Sequence, residues 1–154
     1  MRKKKIFLIC LPVIVCLVTN KIFAQTGIAV TQIALINSVS SNGKDFIIDA
    51  DFVQMLTGKD AIKAAKKAGE AEYDINKKKD TVWYVPNDYF IVNENTKTRK
   101  LTISPATQIY LVKEGTSKLS RSTAALLKRS YEGKLFRFSI VKNKVIKITE
   151  IYTP

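Results

Sequence analysis

Residues Leu135 to Tyr152 read LFRFSIVKNKVIKITEIY. Phe136, Phe138 and Ile140 alternate with Arg137 and Ser139. That period of two turns one face of a strand to a core and the other to water. Lys142-Asn143-Lys144 supplies a turn, and Val145 to Tyr152 returns as the second arm of a hairpin. A similar pattern stands at the other end of the chain. Apolar residues dominate Ile28 to Val39, Ser41-Asn42-Gly43-Lys44 offers the positive φ that tight hairpins need, and Phe46 to Val53 runs back as a strand.

Between these hairpins the pattern predicts further short strands at Tyr89–Val92, Leu101–Ser104 and Gln108–Val112, with Pro105 breaking the second from the third. Val82 to Pro86 leads into the first of them. Two stretches read as helix. Thr57 stands where a cap belongs, Asp60 follows three residues on, and Ala61 to Ala68 has high helix propensity before Gly69 stops it. Ser120 is the expected cap of a second helix, Arg121 to Tyr131, with Ala124, Leu127 and Tyr131 on one face. Glu70 to Thr81 is polar and reads as an exposed loop with Lys77, Lys78 and Lys79 at its tip. The expected fold is mainly β (α+β): a small antiparallel OB-like barrel of about six to seven strands with two short helices.

The first residues read differently. Arg2, Lys3, Lys4 and Lys5 precede an apolar run of 13 residues, Ile6 to Val18, and then a short polar stretch ending Ile22-Phe23-Ala24-Gln25. This is the order of a secretory signal. The run is short of the about 20 apolar residues that cross a bilayer, and Pro12 interrupts it. The expected organisation is a signal peptide over 1–24 and a single β-barrel-like domain over 25–154, exported to the periplasm or beyond the cell, with no transmembrane anchor after cleavage. Cys10 and Cys16 lie in the discarded segment, and neither has the small residue before it that a lipid-modified cysteine requires.

What remains after Ala24 has no cysteine, and the whole chain has no histidine. Thiol nucleophiles, Ser-His-Asp triads and zinc or copper sites built on His or Cys are thereby excluded. Paired carboxylates, a Ser-Lys pair or an oxygen-ligated calcium remain. No cofactor is implied. Five of the 26 basic residues leave with the signal and none of the 13 acids, so the exported domain carries +8. Outside the cytoplasm such a charge suits anionic envelope polymers or headgroups, and export argues against nucleic acid. Dispersed, solvated lysines explain the same charge without a partner.

Four stretches carry a resemblance. They are Leu56-Thr57-Gly58-Lys59-Asp60-Ala61 with Ala64-Ala65, Val85 to Asn95 (VPNDYFIVNEN), Arg99 to Pro105 (RKLTISP), and Ile148 to Pro154 (ITEIYTP). In this order the chain resembles a group of small exported bacterial proteins and lipoproteins of unassigned function with an LTG…PNDYY-I-x-N-x-N…R-x-L-x-V-x-P pattern. The resemblance implies export and a barrel-like β domain. It implies no catalytic residue, and the lipoproteins' modified cysteine is absent here.

The richest polar and aromatic cluster gives the candidate ligand-binding set: Trp83, Tyr84, Asn87, Asp88, Tyr89, Asn93, Asn95 and Arg99. Aromatic faces with Asn and Asp hydrogen-bonding groups suit a sugar or peptide in a shallow cleft. Turn chemistry explains the same Asn and Asp residues, with Arg99 pairing Glu94 across the turn. A calcium variant on Asp88, Asn93, Glu94 and Asn95 matches no standard loop. Asp49 and Asp51 share one strand face, which reads either as paired carboxylates for glycoside chemistry or as a solvated face. Lys63, Lys66, Lys67, Lys77, Lys78 and Lys79 form one patch if helix and loop pack together. The function expected is a non-enzymatic binding or accessory module of the bacterial cell envelope, its partner an envelope polymer, a glycan or another exported protein. The alternatives are a carboxylate-dependent glycan-acting enzyme and a protein-interaction domain.

Overall fold

A computed structural model describes residues 28–153. The segment read as a signal peptide, its expected cleavage site, both cysteines, residues 25–27 and Pro154 lie outside the described residues.

The two hairpins predicted at the ends of the domain meet in space. Val30–Asn42 (β1) pairs antiparallel with Asp45–Thr57 (β2) through a two-residue turn, where Gly43 takes φ +62° without strain. Leu135–Val141 (β9) and Lys144–Ile151 (β10) form the second hairpin, and β9 lies against β1. These four long strands are the frame. Glu72–Ile75 (β3) and Thr81–Tyr84 (β4) make a separate two-stranded ribbon. Tyr89–Val92 (β5) pairs with the second half of β2, and Thr98–Ile103 (β6) with its first half. Gln108–Val112 (β7) runs parallel to β10 and antiparallel to Leu119–Ser122 (β8).

The described residues are therefore mainly β, with one large mixed sheet and two helices, and no sheet closes. The parallel β7–β10 pair corrects the expectation of a purely antiparallel sheet. Only three residue pairs, Lys147–Gln108 to Thr149–Tyr110, hold it. Beyond them the Glu150 carboxylate takes over as acceptor: Val112 N–H donates to Glu150 Oε2 at 3.0 Å, and Lys134 Nζ lies 3.0 Å from Oε1. The strand number also exceeds the expectation, because two segments read as loop or helix are strands. Glu70 to Thr81 contains β3, whose alternation spans only four residues within a highly charged segment. Residues Leu119–Ser122 are β8, so the second helix begins later, at Ala124–Ser130 (α2), capped by Thr123 rather than Ser120. Thr123 Oγ1 accepts from Leu126 N–H at 3.3 Å. Thr57 stands at the cap of the first helix, Gly58–Ala68 (α1), but its side chain makes no capping bond.

The main core is one cluster of side chains from β1, β2, β6, β7, β9, β10 and α2. Ile48, Ile103, Phe136, Phe138 and Ile148 fill it, and Leu127 of α2 closes it from one end. A second, smaller cluster joins Ala61 and Ala65 of α1 to Val85, with Leu56 and Phe90 beside them. This cluster seats α1 on the β2–β5 edge and fixes where the β3–β4 ribbon leaves and rejoins the body.

Candidate functional site

Alternation along β3 and β4 sorts their side chains onto two faces. Tyr73 lies opposite Trp83 and Ile75 opposite Thr81 on one face, while Glu72 lies opposite Tyr84 and Asp74 opposite Val82 on the other. The Tyr73 and Trp83 rings meet with centroids 5.1 Å apart at 52°. Lys66 reaches from α1 to place its ammonium 4.2 Å from the Trp83 ring centre. That is the geometry of a cation–π contact, and it ties helix to ribbon. Lys66, one member of the expected lysine patch, thus touches the ribbon at Trp83. At the ribbon's tip, Asn76 Oδ1 accepts from the N–H groups of Lys78 and Asp80, both at 2.9 Å, which sets the turn that presents Lys77, Lys78 and Lys79.

The ribbon buries little of its apolar surface. Tyr73 is 58% exposed and Ile75 67%, and Val82 and Tyr84 are exposed as well. Tyr84 donates to Glu72, and that bond, with the carboxylate's negative charge, holds its phenol above the ordinary value of 10.0.

The eight candidate residues separate in space. Trp83 and Tyr84 point to opposite faces of the ribbon. Asn87 and Asp88 sit in a tight turn, Pro86–Asp88, both with φ +59°, a conformation that Asn and Asp tolerate well. Tyr89 starts β5, half-buried, opposite Thr57. Asn93 crosses to β2, where its Nδ2 donates to Asp51 Oδ2 at 2.7 Å. Asn95 Oδ1 accepts from Lys97 N–H at 3.1 Å. Arg99 lies over the Phe52 ring at 4.7 Å, where the sequence reading paired it with Glu94. The predicted set is not one constellation: Trp83 and Tyr84 belong with the ribbon and Asn93 with β2. Tyr73 and Ile75 were missed because β3 is only four residues long and sits in a segment dominated by charged residues.

Next to the ribbon, on the other flank of α1, a groove of about 720 Å³ runs between α1 and β5. Leu56, Phe90 and Val92 floor it, and Lys63, Lys67, Asp60 and Glu94 stand at its lip. Among the described residues no helix is long and apolar enough to cross a membrane. No family model, curated protein or solved structure matches this chain.

Proposed function

We propose that this chain is an exported, non-enzymatic binding module of the bacterial cell envelope, and that its β3–β4 ribbon and the adjoining face of α1 grip an anionic envelope polymer. The observation that carries this reading is the exposure of Tyr73, Ile75, Val82 and Tyr84 on a ribbon tipped by three lysines. Exposed apolar area rimmed by charge is typical of interaction sites. Aromatic faces stack on sugar rings or chain backbones, and lysines attract the anionic groups at a distance set by ionic strength.

On this reading the body is an OB-like barrel whose third strand is broken into β6 and β7. β6 pairs β2, β7 pairs β10, and β10 and β9 lead back to β1. Thr107, between the two pieces, donates its hydroxyl to the Val145 carbonyl at 3.0 Å and so fastens the break to β10. Small barrels of this kind hold their ligands on strand faces and protruding loops.

The test is retention of the purified exported protein on isolated cell-envelope fractions at low and high salt. Retention that falls in high salt and in a Lys77/Lys78/Lys79→Ala variant supports an anionic polymer. Retention that survives salt but is lost in Trp83→Ala replaces the polymer with a neutral glycan or a peptide. No retention at all overturns the envelope reading. A second reading, capture of an exported protein by strand addition, is favoured by the two unpaired edges of the isolated β3–β4 sheet. It predicts binding to envelope protein extract and none to protease-treated polymer.

A further inference from the structure

β5 is the last strand at one end of the large sheet, and β2 is its one strand partner among the described residues. Its outer backbone groups are therefore open to a further strand. Proteins commonly guard such an edge with lysine, proline or a bulge. Apart from its shortness β5 has no such guard: Tyr89-Phe90-Ile91-Val92 holds neither charge nor proline, and its pairing to β2 runs without a register shift. The strand at the other end of the sheet, β8, carries Arg121. The groove between α1 and β5 lies on one face of the β5 edge. Leu56 pairs with Phe90 and Gln54 with Val92, so these four side chains share that face. α1 sits on it through Ala61 and Ala65. Beside them Ala64 and Ala68 form the helix wall of the groove, and their methyl groups are too short to close it. Leu56, Phe90 and Val92 are left half-buried.

The lip of the groove carries charges of both signs in equal number, Lys63 and Lys67 against Asp60 and Glu94. All four residues are exposed, and none forms an ion pair with another described residue. The chain has 26 basic and 13 acidic residues, so two copies repel each other on average. A balanced lip around an apolar floor lets them approach without that repulsion. Balance also meets the demand of a two-fold contact, in which one patch must complement itself. We propose that β5 and this groove form the interface of a two-fold homodimer. β5 of each copy adds antiparallel to β5 of the other, and Lys63 and Lys67 face Asp60 and Glu94 of the partner subunit. The dimer carries two β3–β4 ribbons, so a repeating polymer is gripped twice and held with avidity. The interface does not rest on the ribbon's binding role, and either can fail alone.

The experiment is analytical ultracentrifugation of the purified exported protein over a range of concentrations. The wild type should sediment as a monomer–dimer equilibrium. Lys63→Glu with Lys67→Glu sets acid against acid across the lip and should weaken the dimer at least about tenfold. Asp60→Lys with Glu94→Lys sets base against base and should do the same. Mixing the two double variants should restore a dimer with one copy of each, because their charges complement again. Glu94→Lys alone, outside any helix or strand, should weaken the dimer less and keeps the test open if a variant of α1 fails to fold. A wild type that stays monomeric at every concentration, folded variants that dimerise as the wild type does, or a mixture that stays monomeric overturns the proposal.

Discussion

The large sheet and the β3–β4 ribbon use the same residue types to opposite ends. In the sheet, Phe136, Phe138, Ile48 and Ile148 are wholly buried, and their burial is what holds the strands together. In the ribbon, Tyr73, Ile75, Val82 and Tyr84 stand in solvent, and only Trp83 is half-covered. A two-stranded ribbon is marginal on its own. This one is held at its base by Val85, packed on Ala61 and Ala65, and by Lys66 over Trp83. The difference separates apolar residues that make the fold from apolar residues that the fold displays.

The sharpest break in the comparison comes from truncating one aromatic in each region. Phe136→Ala removes a ring from the centre of the core and should cost about 3–5 kcal/mol, enough to unfold a marginal domain. Urea unfolding followed by circular dichroism reads it directly. A loss below about 1 kcal/mol would mean that the sheet tolerates cavities as the ribbon does.

Glu150 tests how the short parallel pair is held. It is 6% exposed and accepts both Val112 N–H and Lys134. Glu150→Leu leaves the Val112 N–H without its acceptor and should cost about 1–3 kcal/mol. Glu150→Gln keeps an acceptor oxygen and should cost less. Equal losses in the two variants would show that charge, and not the hydrogen bond, fastens β7 to β10.

These positions also mark what the sequence made legible. The two terminal hairpins were readable because Phe136, Phe138 and Ile140 follow a period of two, apolar residues dominate β1 and β2, and Asn or Gly stands at the turns. The helix α1 was readable from its alanines and from Gly69, which takes φ +76° at the C-cap. β3 was not, because Glu72-Tyr73-Asp74-Ile75 has charged residues on one face and no core to face on the other. β8 was hidden because Leu119-Ser120-Arg121-Ser122 runs straight into a helix signal, and backbone pairing to β7 decides its state. For the candidate site, proximity in the chain misled. Trp83, Asn93 and Arg99 lie within 17 residues yet serve three different surfaces. The burial of Asp51 depends on Asn93, 42 residues away, a pairing that no local pattern announces.

A smaller effect is expected from Trp83→Ala. Its cation–π contact with Lys66 contributes about 0.5–1 kcal/mol at an exposed site, and the ring's loss should leave the midpoint of urea unfolding within about 1 kcal/mol of wild type. Retention on envelope fractions should fall in the same variant. A large stability loss would place the ribbon with the folding core and dissolve the distinction between the two regions.

The smallest effect concerns the ribbon's other face. Glu72 accepts a hydrogen bond from Tyr84 and repels its phenolate, so the folded phenol titrates above 10.0. The neutral phenol is the favoured form in the folded state. The contribution is therefore fully present below the unfolded value and is lost as pH rises through the raised folded value. Glu72→Gln should bring the Tyr84 titration back toward 10.0, read by ultraviolet difference spectra against Tyr84→Phe. Because the pair is exposed, stability near neutral pH should stay unchanged while the titration moves. If the titration stays put, the β3–β4 register that sets Glu72 opposite Tyr84 is not held in solution, and the ribbon's two faces lose the separation on which its binding role depends.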